Sequence, residues 1–294
     1  MNRRRLGRTG LQVSEIGLGG AWLQGRRQER SLEQGAEVVR YALSQGINYL
    51  DTAECYGESE RVFGLALSDL SDDYILATKF GHVPQDFDFS RQSVLDSVKR
   101  SLERLQRPYI DLLQLHTPQE PDMDLILGAN GALEGMREVR ERGLCRFLGT
   151  TGNDVDFLRR CLETDVFDTM LVFMRYDLME RSGETLIREA HAQDVGVILG
   201  SPLRLGLFGS GREDCLSGLS EIEKKKLERL EALFRDEPGG ISAGAVRFVQ
   251  GCEWASTVLS GASTVEEVGA VLAAQATPLS QEIREAVLAI ADQK

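Results

Sequence analysis

Short apolar runs alternate along this chain with longer stretches in which apolar residues recur at helical spacing. The runs are rich in β-branched and aromatic residues, which is typical of buried strands. In the stretch 30–44, for example, one face is apolar and the charged residues lie outside it; the predicted inward residues are Leu32, Ala36, Val38, Val39 and Leu43. The predicted strands cover residues 14–20, 47–51, 74–79, 110–116, 145–150, 168–173, 195–200 and 256–260. The predicted helices cover residues 30–44, 58–68, 90–105, 132–142, 154–163, 183–193, 221–235 and 264–274.

This alternation predicts an α/β fold in which parallel strands are joined by right-handed helical crossovers. Eight such units with short connections predict a closed (β/α)8 TIM barrel, a fold that needs about 250 residues. The chain has 294 residues, so we expect a single domain over residues 1–294 with some additional elements. These are an N-terminal hairpin at 3–16, a glycine-rich loop at 203–220 as a candidate lid, and extra helices at 238–251 and 280–291 packed outside the barrel.

Polar side chains stand where three consecutive predicted strands end. Asp51 ends the first of these strands, Lys79 the second and His116 the third, and Tyr56 follows Asp51 in the adjoining loop. Since a buried lone carboxylate costs several kcal/mol, Asp51 requires a cation, and Lys79 is a candidate. Catalytic groups of such barrels lie at the C-terminal ends of strands. The sequence therefore predicts that these four side chains meet in one site.

Three segments carry a family resemblance: 51–57 (DTAECYG), 77–79 (ATK) and 111–116 (DLLQLH). Together, in this order, they resemble the aldo-keto reductase superfamily, and the resemblance runs from Leu6 to about Ala274. It implies an oxidoreductase that interconverts an aldehyde, ketone or sugar carbonyl and its alcohol with NAD(P)(H). The substrate would be a small carbonyl compound or alcohol.

The resemblance also implies a role for each strand-end residue. Tyr56 would be the general acid/base, Lys79 and Asp51 would tune it, and His116 would orient the substrate carbonyl. A cation beside a phenol favours phenolate, so Lys79 is expected to lower the pKa of Tyr56. Trp22 is predicted to contact the substrate together with Tyr56 and His116. Weaker candidates for substrate contact are Phe80, Thr117 and Phe173.

The chain has no GxGxxG after its first strand and no GK[ST], so neither a Rossmann nor a P-loop site is supported. The resemblance instead implies an extended dinucleotide across the top of the barrel. Backbone amides of a glycine-containing loop are suited to approach a pyrophosphate. The residues implied to contact the cofactor are Asp51, Thr151, Asn153, Ser201, Pro202, Leu203, Gly206, Ser263 and Thr264.

The sequence departs from the family pattern at several cofactor positions. Thr151-Gly152-Asn153 replaces the usual Ser-Asn, Phe173 replaces a glutamine, and Gly200 replaces an aromatic residue. The segment 260–264 (SGAST) lacks the cation that often clamps the 2′-phosphate of NADP. A charge-assisted hydrogen bond is worth roughly 1.5–3 kcal/mol, so its loss favours NAD. The family pattern favours NADP, and the preference stays open.

The composition excludes several classes of function. A net charge of −12 argues against a nucleic-acid or anionic-membrane surface. No apolar stretch approaches the 18 residues expected of a membrane span. The five cysteines show no CxxC spacing, which disfavours a zinc site or a disulfide framework and favours reduced thiols in the cytoplasm. We predict no metal site, and the oligomeric state stays open.

Two alternative functions remain at this point. The departures at the cofactor positions are compatible with a catalytically weak binding or regulatory subunit that keeps the family fold. A glycoside hydrolase would need two carboxylates flanking a cleft, and Asp51 with Glu54 is the nearest such pair. Lys79 would be an unusual neighbour for the required acid.

Overall fold

A closed barrel of parallel strands forms the centre of this computed structural model, which describes residues 1–25, 29–70, 73–81, 89–116, 123–275 and 277–293. Around the barrel the strands follow the order β10-β3-β4-β5-β6-β7-β8-β9, and β9 pairs with β10 to close it. The predicted (β/α)8 barrel is confirmed. The strands are β1 (Arg3–Arg5), β2 (Gln12–Ser14), β3 (Ile16–Gly19), β4 (Tyr49–Asp51), β5 (Ile75–Phe80), β6 (Ile110–His116), β7 (Cys145–Gly152), β8 (Thr169–Phe173), β9 (Gly196–Gly200) and β10 (Thr257–Ser260).

Helices surround the barrel, and several begin at side-chain caps that the sequence provides. Ser31 and Gln34 form a capping box at the first helix, and Ser90 and Asp154 cap two later ones. The helices are α1 (Leu32–Ser44), α2 (Ser59–Leu67), α3 (Arg91–Leu105), α4 (Met123–Leu127), α5 (Ala132–Glu141), α6 (Val155–Glu163), α7 (Glu184–Ala192), α8 (Arg212–Leu216), α9 (Glu221–Leu233), α10 (Gly240–Gln250), α11 (Val265–Gln275) and α12 (Gln281–Ala291). None of these described helices is both long and apolar enough to cross a bilayer.

The apolar core has two parts. A large cluster lies between the strands and the helices, and a smaller one fills the barrel interior. The predicted hairpin, β1 with β2, contributes Leu6 and Val13 to the interior cluster. Side chains alternate along a strand, so the inward positions of β4, β5, β6 and β8 that lie above this cluster point into the C-terminal mouth of the barrel.

Two predicted features of the C-terminal half need correction. The stretch 238–251 was predicted to be an additional helix, but α10 packs against β10 and α11 and so belongs to the ring of helices around the barrel. It is α9 that packs against α12. Burial explains the difference, since α10 is buried at every position from Ala243 to Val249 and α9 buries only a narrow stripe. The predicted loop 203–220 also contains a 3-10 turn at Arg204–Gly206 and the short helix α8.

Candidate active site

The turn between β4 and α2 is fixed to the neighbouring strand by backbone hydrogen bonds. The N–H of Thr52 donates to the carbonyl of Ala77 at 2.9 Å, and the N–H of Glu54 donates to the carbonyl of Lys79 at 3.1 Å. The turn then closes where the N–H of Tyr56 donates to the Ala53 carbonyl. Pairing with β5 thus continues beyond the end of β4, and it holds Tyr56 over the mouth of the barrel.

Asp51 and Lys79 form a buried ion pair, with their side chains only 3% and 2% exposed. Lys79 Nζ also donates to the Thr52 carbonyl at 2.8 Å. Burial, the largest single cause, lowers the pKa of Lys79, but the Asp51 carboxylate together with Tyr56 and Cys55 outweighs it, and the pKa lies above the ordinary value. The structure therefore keeps a positive charge on Lys79, as the sequence predicted.

Tyr56 lies between this ammonium group and His116. Lys79 Nζ is 4.7 Å from the centre of the Tyr56 ring. The rings of Tyr56 and His116 meet edge to face, with centroids 6.0 Å apart. The predicted cluster of Asp51, Tyr56, Lys79 and His116 is thus assembled at three strand ends.

The pKa of Tyr56 moves in the opposite direction from the one predicted. Burial, the largest cause, raises it, Lys79 lowers it, and Asp51 raises it again. The net pKa lies above the ordinary tyrosine value of 10.0. Lys79 acts as expected from the sequence, but the prediction was wrong in its net direction because it did not include the cost of burying a phenolate.

Gln114 is a member of the site that the sequence analysis missed. It lies beside Lys79 in the register of β5 and β6 and is fully buried. Its Nε2 donates to Asp51 Oδ2 at 2.7 Å, while Lys79 donates to Oδ1. The inward alternation of β6, with Leu112, Gln114 and His116 on one face, is the signal that predicts this position.

Cys55 contacts the cluster of Asp51, Tyr56, Lys79 and His116 without being a reactive thiolate. Its Sγ lies 3.5 Å from His116 Nδ1. Burial raises the pKa of Cys55 to about 11, although Lys79 pulls it down. A thiol with this pKa is protonated at neutral pH, so the structure supports no nucleophilic role. The four other cysteines are also free thiols.

Glu54 does not form a second carboxylate of the mouth. Its Oε1 accepts a hydrogen bond from Arg100 Nε at 2.5 Å, and its Oε2 accepts one from the Ser97 hydroxyl. Both donors belong to α3, so the carboxylate is held on the helix side of the β4–α2 turn. The pair that a glycoside hydrolase would require, Asp51 with Glu54, therefore lacks its second member.

The remaining predicted contacts are spread around the rim. Thr151 is buried within β7 and is in register with His116. The sequence analysis had ended this strand at residue 150, one residue before Thr151. The carbonyl of Asn153 accepts a hydrogen bond from Arg175 Nε at 2.6 Å. Trp22 is half-buried and lies against Gly261, since a Cβ on Gly261 would come within 2.8 Å of its ring. The candidate Thr117 lies outside the described residues.

The loop after β9 is tightly folded on itself. The N–H groups of residues 204–209 all donate within it, to Ser201, Leu203, Arg204 and Gly206. The backbone of Gly206 was among the predicted cofactor contacts, and the structure uses its N–H within the loop. Pro202 and Gly206 are buried and Leu203 is partly buried. Since the next two residues, Leu207 and Phe208, are also buried, this part of the loop is a packed element rather than a free lid.

The same loop is pinned by a buried ion pair. Arg204 donates to Asp177 Oδ2 at 2.8 Å and to Glu223 Oε1 at 3.3 Å. Ser201, Arg204 and Leu205 have positive φ angles, a conformation that non-glycine residues rarely adopt. The ion pair therefore helps to hold a strained backbone next to the mouth.

A carboxylate takes the donors that were predicted to bind the ribose or a phosphate. The N–H and the hydroxyl of Ser263 both donate to Glu267 Oε2, at 2.7 and 2.9 Å. Ser210 donates to the other oxygen of Glu267 at 3.3 Å, and the Thr264 hydroxyl caps the N–H of Glu267. Among the described residues no cation pairs with Glu267, so this end of α11 presents a negative charge.

Comparisons with known proteins identify the family to which this fold belongs. A model of the aldo/keto reductase family matches residues 15–292. The chain is 31% identical over 299 residues to L-galactose dehydrogenase of Arabidopsis thaliana, covering 98% of this chain and 93% of that protein. It is 28% identical over 272 residues to D-threo-aldose 1-dehydrogenase of Pseudomonas sp, covering 81% and 82%. The holo form of aldo-keto reductase AKR11C1 from Bacillus halodurans matches with a TM-score of 0.83 and 27% identity, covering 99% and 97%. The chain belongs to the aldo/keto reductase family.

Proposed function

We propose that this protein is an NAD(P)(H)-dependent oxidoreductase that interconverts a small carbonyl compound and its alcohol. The observation that carries the proposal is the position of Tyr56, held between the ammonium group of Lys79 and the ring of His116. A phenol in this position is suited to give a proton to a carbonyl oxygen, or to take one from an alcohol. The intact cluster favours an enzyme over a protein that has only kept the fold.

Each residue of the cluster has a distinct task in this mechanism. Tyr56 donates the proton to the substrate oxygen, and Lys79 stabilises the phenolate that remains. Asp51 keeps Lys79 charged and in place, with Gln114 holding the second carboxylate oxygen. His116 donates a hydrogen bond that orients the carbonyl. A bound reduced nicotinamide supplies the hydride.

For the substrate we propose an aldose or a related sugar. Two relatives that align with most of this chain are named as dehydrogenases of L-galactose and of D-threo-aldoses. In this chain Trp22, in the 3-10 turn that follows β3, supplies an aromatic surface against which a sugar ring packs. The polar mouth with Tyr56 and His116 supplies the hydrogen bonds that an anomeric hydroxyl needs.

For the cofactor we propose a preference for NAD(H) over NADP(H). If the ribose lies at Ser263 and Thr264, its neighbour is the Glu267 carboxylate, which no described cation neutralises. A 2′-phosphate would bring two further negative charges to this carboxylate. A free 2′-hydroxyl, by contrast, can donate a hydrogen bond to the carboxylate.

The second candidate is a regulatory or binding subunit with slow or absent turnover. One observation favours it: the N–H of Gly206 and both donors of Ser263 already form hydrogen bonds within the protein, although these residues were predicted to contact the dinucleotide. Binding would then require a rearrangement of these hydrogen bonds. The affinity for the dinucleotide therefore discriminates between the two candidates.

The reaction is tested with Tyr56→Phe. NAD⁺ reduction by a panel of aldoses should fall by about 100-fold or more in this variant, since a positioned general acid contributes 10²–10⁴-fold. NADH binding should be unchanged, because the phenyl ring remains. Tyr109→Phe is the matched control, since Tyr109 is exposed and precedes β6 at the opposite end of the barrel. Retention of more than a tenth of the activity in Tyr56→Phe would overturn the proposed role.

A further inference from the structure

At the ends of β8 and β9, the aromatic residue lies on β8 and the small residue on β9, although the family pattern has the aromatic residue on β9. Phe173 on β8 and Gly200 on β9 are direct partners in the register of these two strands. The residue types expected from the family pattern were a glutamine at the first position and an aromatic at the second. We propose that Phe173 supplies, from the adjacent strand, the aromatic surface on which the nicotinamide ring packs. This inference rests on the proposed function.

Steric crowding makes the two positions interdependent. A Cβ placed on Gly200 would lie 3.1 Å from the Cβ of Phe173 and 3.2 Å from Leu171 Cδ2. Real Cβ atoms seldom come so close to a neighbour, so only one of the two positions carries a large side chain without a shift of the other. Because Gly200 has no side chain, Phe173 can occupy the space that a side chain at position 200 would fill.

Phe173 points toward the mouth of the barrel. It shares the inward face of β8 with Leu171, and it packs on the interior cluster to which Leu171 belongs. Leu171 is in register with Thr151 on β7, and Thr151 is in register with His116 on β6. Phe173 thus lies one inward position beyond the level of these residues. Phe173 is half-buried, so part of its surface stays exposed although it packs on the interior cluster.

The reaction places the nicotinamide at the same mouth. Hydride transfer requires the donor carbon to lie about 3–3.5 Å from the carbonyl carbon. The carbonyl oxygen must at the same time reach Tyr56 and His116. The nicotinamide ring is therefore confined to the space bounded by the inward strand ends, and among those on β7, β8 and β9 Phe173 offers the large apolar face. Flat rings pack on such faces in offset or edge-to-face arrangements.

The test measures binding with two probes, NADH and ADP-ribose, in the unmutated protein, Phe173→Leu and Phe173→Tyr. Phe173→Leu keeps an apolar side chain but loses the ring, and Phe173→Tyr keeps the ring. ADP-ribose lacks the nicotinamide, so it reports on the remainder of the dinucleotide site. Phe147→Leu is the matched control, because Phe147 packs on the same interior cluster from β7 but lies toward the opposite end of the barrel.

We expect Phe173→Leu to weaken NADH binding by about three- to tenfold, the range expected for the loss of one aromatic contact. The affinity for ADP-ribose should stay within twofold, and Phe173→Tyr and Phe147→Leu should bind NADH normally. Equal losses for both probes would assign Phe173 a structural role and overturn the inference, as would unchanged or tighter NADH binding. If the unmutated protein binds ADP-ribose but not NADH, the inference fails; if it binds neither, the proposed function fails with it.

A double substitution provides a second, independent test. Gly200→Phe alone should weaken NADH binding, because the new side chain competes with Phe173 for the same space. Combining it with Phe173→Gln should recover at least part of the affinity, since an aromatic face is then supplied from β9. A double variant that binds NADH no better than Phe173→Gln alone would contradict the inference that Phe173 takes the place of an aromatic residue at position 200.

Discussion

Gln114 donates a hydrogen bond from Nε2 to Asp51 Oδ2 at 2.7 Å, and Lys79 takes the other oxygen of the same carboxylate. Asp51 is therefore fixed from two neighbouring strands, β5 and β6. A carboxylate held in this way cannot rotate without breaking one of the two bonds. The position of the Lys79 ammonium group under Tyr56 consequently depends on a glutamine that is expected to touch neither the substrate nor the cofactor.

The first prediction concerns this glutamine. Gln114→Met leaves Asp51 Oδ2 without a described donor, so the free energy of unfolding should fall by about 1–2 kcal/mol. Because Lys79 is then less well placed, kcat should fall several-fold while the affinity for NADH stays the same. Urea unfolding, steady-state kinetics and NADH titration measure the three quantities.

Thr257→Val is the control for this variant. Thr257 is buried in β10, and its hydroxyl has no hydrogen-bond partner among the described residues. Its replacement should leave stability and kcat unchanged or raise stability slightly, since it removes an unsatisfied polar atom. If both variants lose kcat equally, Gln114 has no special role in positioning Asp51.

The second prediction separates stability from catalysis at the ion pair. Lys79→Met leaves the Asp51 carboxylate buried without its cation and should lower the free energy of unfolding by about 3–5 kcal/mol. The double variant Asp51→Leu/Lys79→Met removes both charges and should recover most of this loss, yet remain inactive. Urea denaturation and turnover assays check both statements. A single variant as stable as the unmutated protein would show that the pair is not buried as described.

The third prediction follows from the raised pKa of Tyr56. Burial keeps the phenol protonated beyond the ordinary value of 10.0, so tyrosinate absorbance from this residue should appear only above that pH. Subtracting the titration of Tyr56→Phe isolates its contribution. In the protein without cofactor the Tyr56 phenol should therefore be protonated at neutral pH, which is the state that reduction needs. A phenolate signal below the ordinary value would mean that Lys79 outweighs burial.

The fourth prediction concerns the choice of cofactor. Glu267→Gln keeps an acceptor for Ser263 but removes the charge, so NADPH affinity should rise by about tenfold, equivalent to about 1.4 kcal/mol. NADH affinity should change by much less. Glu266→Gln is the control: it removes the same charge from an exposed neighbour on the same helix. If both variants change NADPH affinity equally, only the overall charge of the helix end matters.

Much of the fold and part of the site follow from the sequence because they depend on local patterns. The apolar runs place Asp51, Lys79 and His116 at strand ends, and parallel strands bring such ends to one side of the barrel. The roles of α9 and α10 could not be separated in the same way, since both stretches are amphipathic. Their difference lies in how much surface each buries, which depends on contacts with distant elements such as β10 and α12.

The missed features depend on which residues face each other across strands and turns. In the sequence Gln114 is only one polar residue in a predicted strand, and the register of β5 and β6 shows that it lies beside Lys79. Phe173 and Gly200 look like two separate departures from the family pattern until they are found side by side. Glu267 acts through a side chain that reaches back to Ser263, and the pKa of Tyr56 depends on its burial. Spacing along the chain indicates at most that Gln114 faces inward; the partner of each of these side chains depends on the folded structure.

The account is tested most directly by titrating the unmutated protein with NADH and with NADPH and following the quenching of tryptophan fluorescence. A dinucleotide-dependent oxidoreductase with Glu267 beside the ribose should bind NADH in the micromolar range and NADPH more weakly. Tighter binding of NADPH would contradict the role of Glu267 and leave the enzyme proposal standing. If neither binds below the millimolar range, the protein is not the oxidoreductase proposed, and the regulatory or binding subunit becomes the better description.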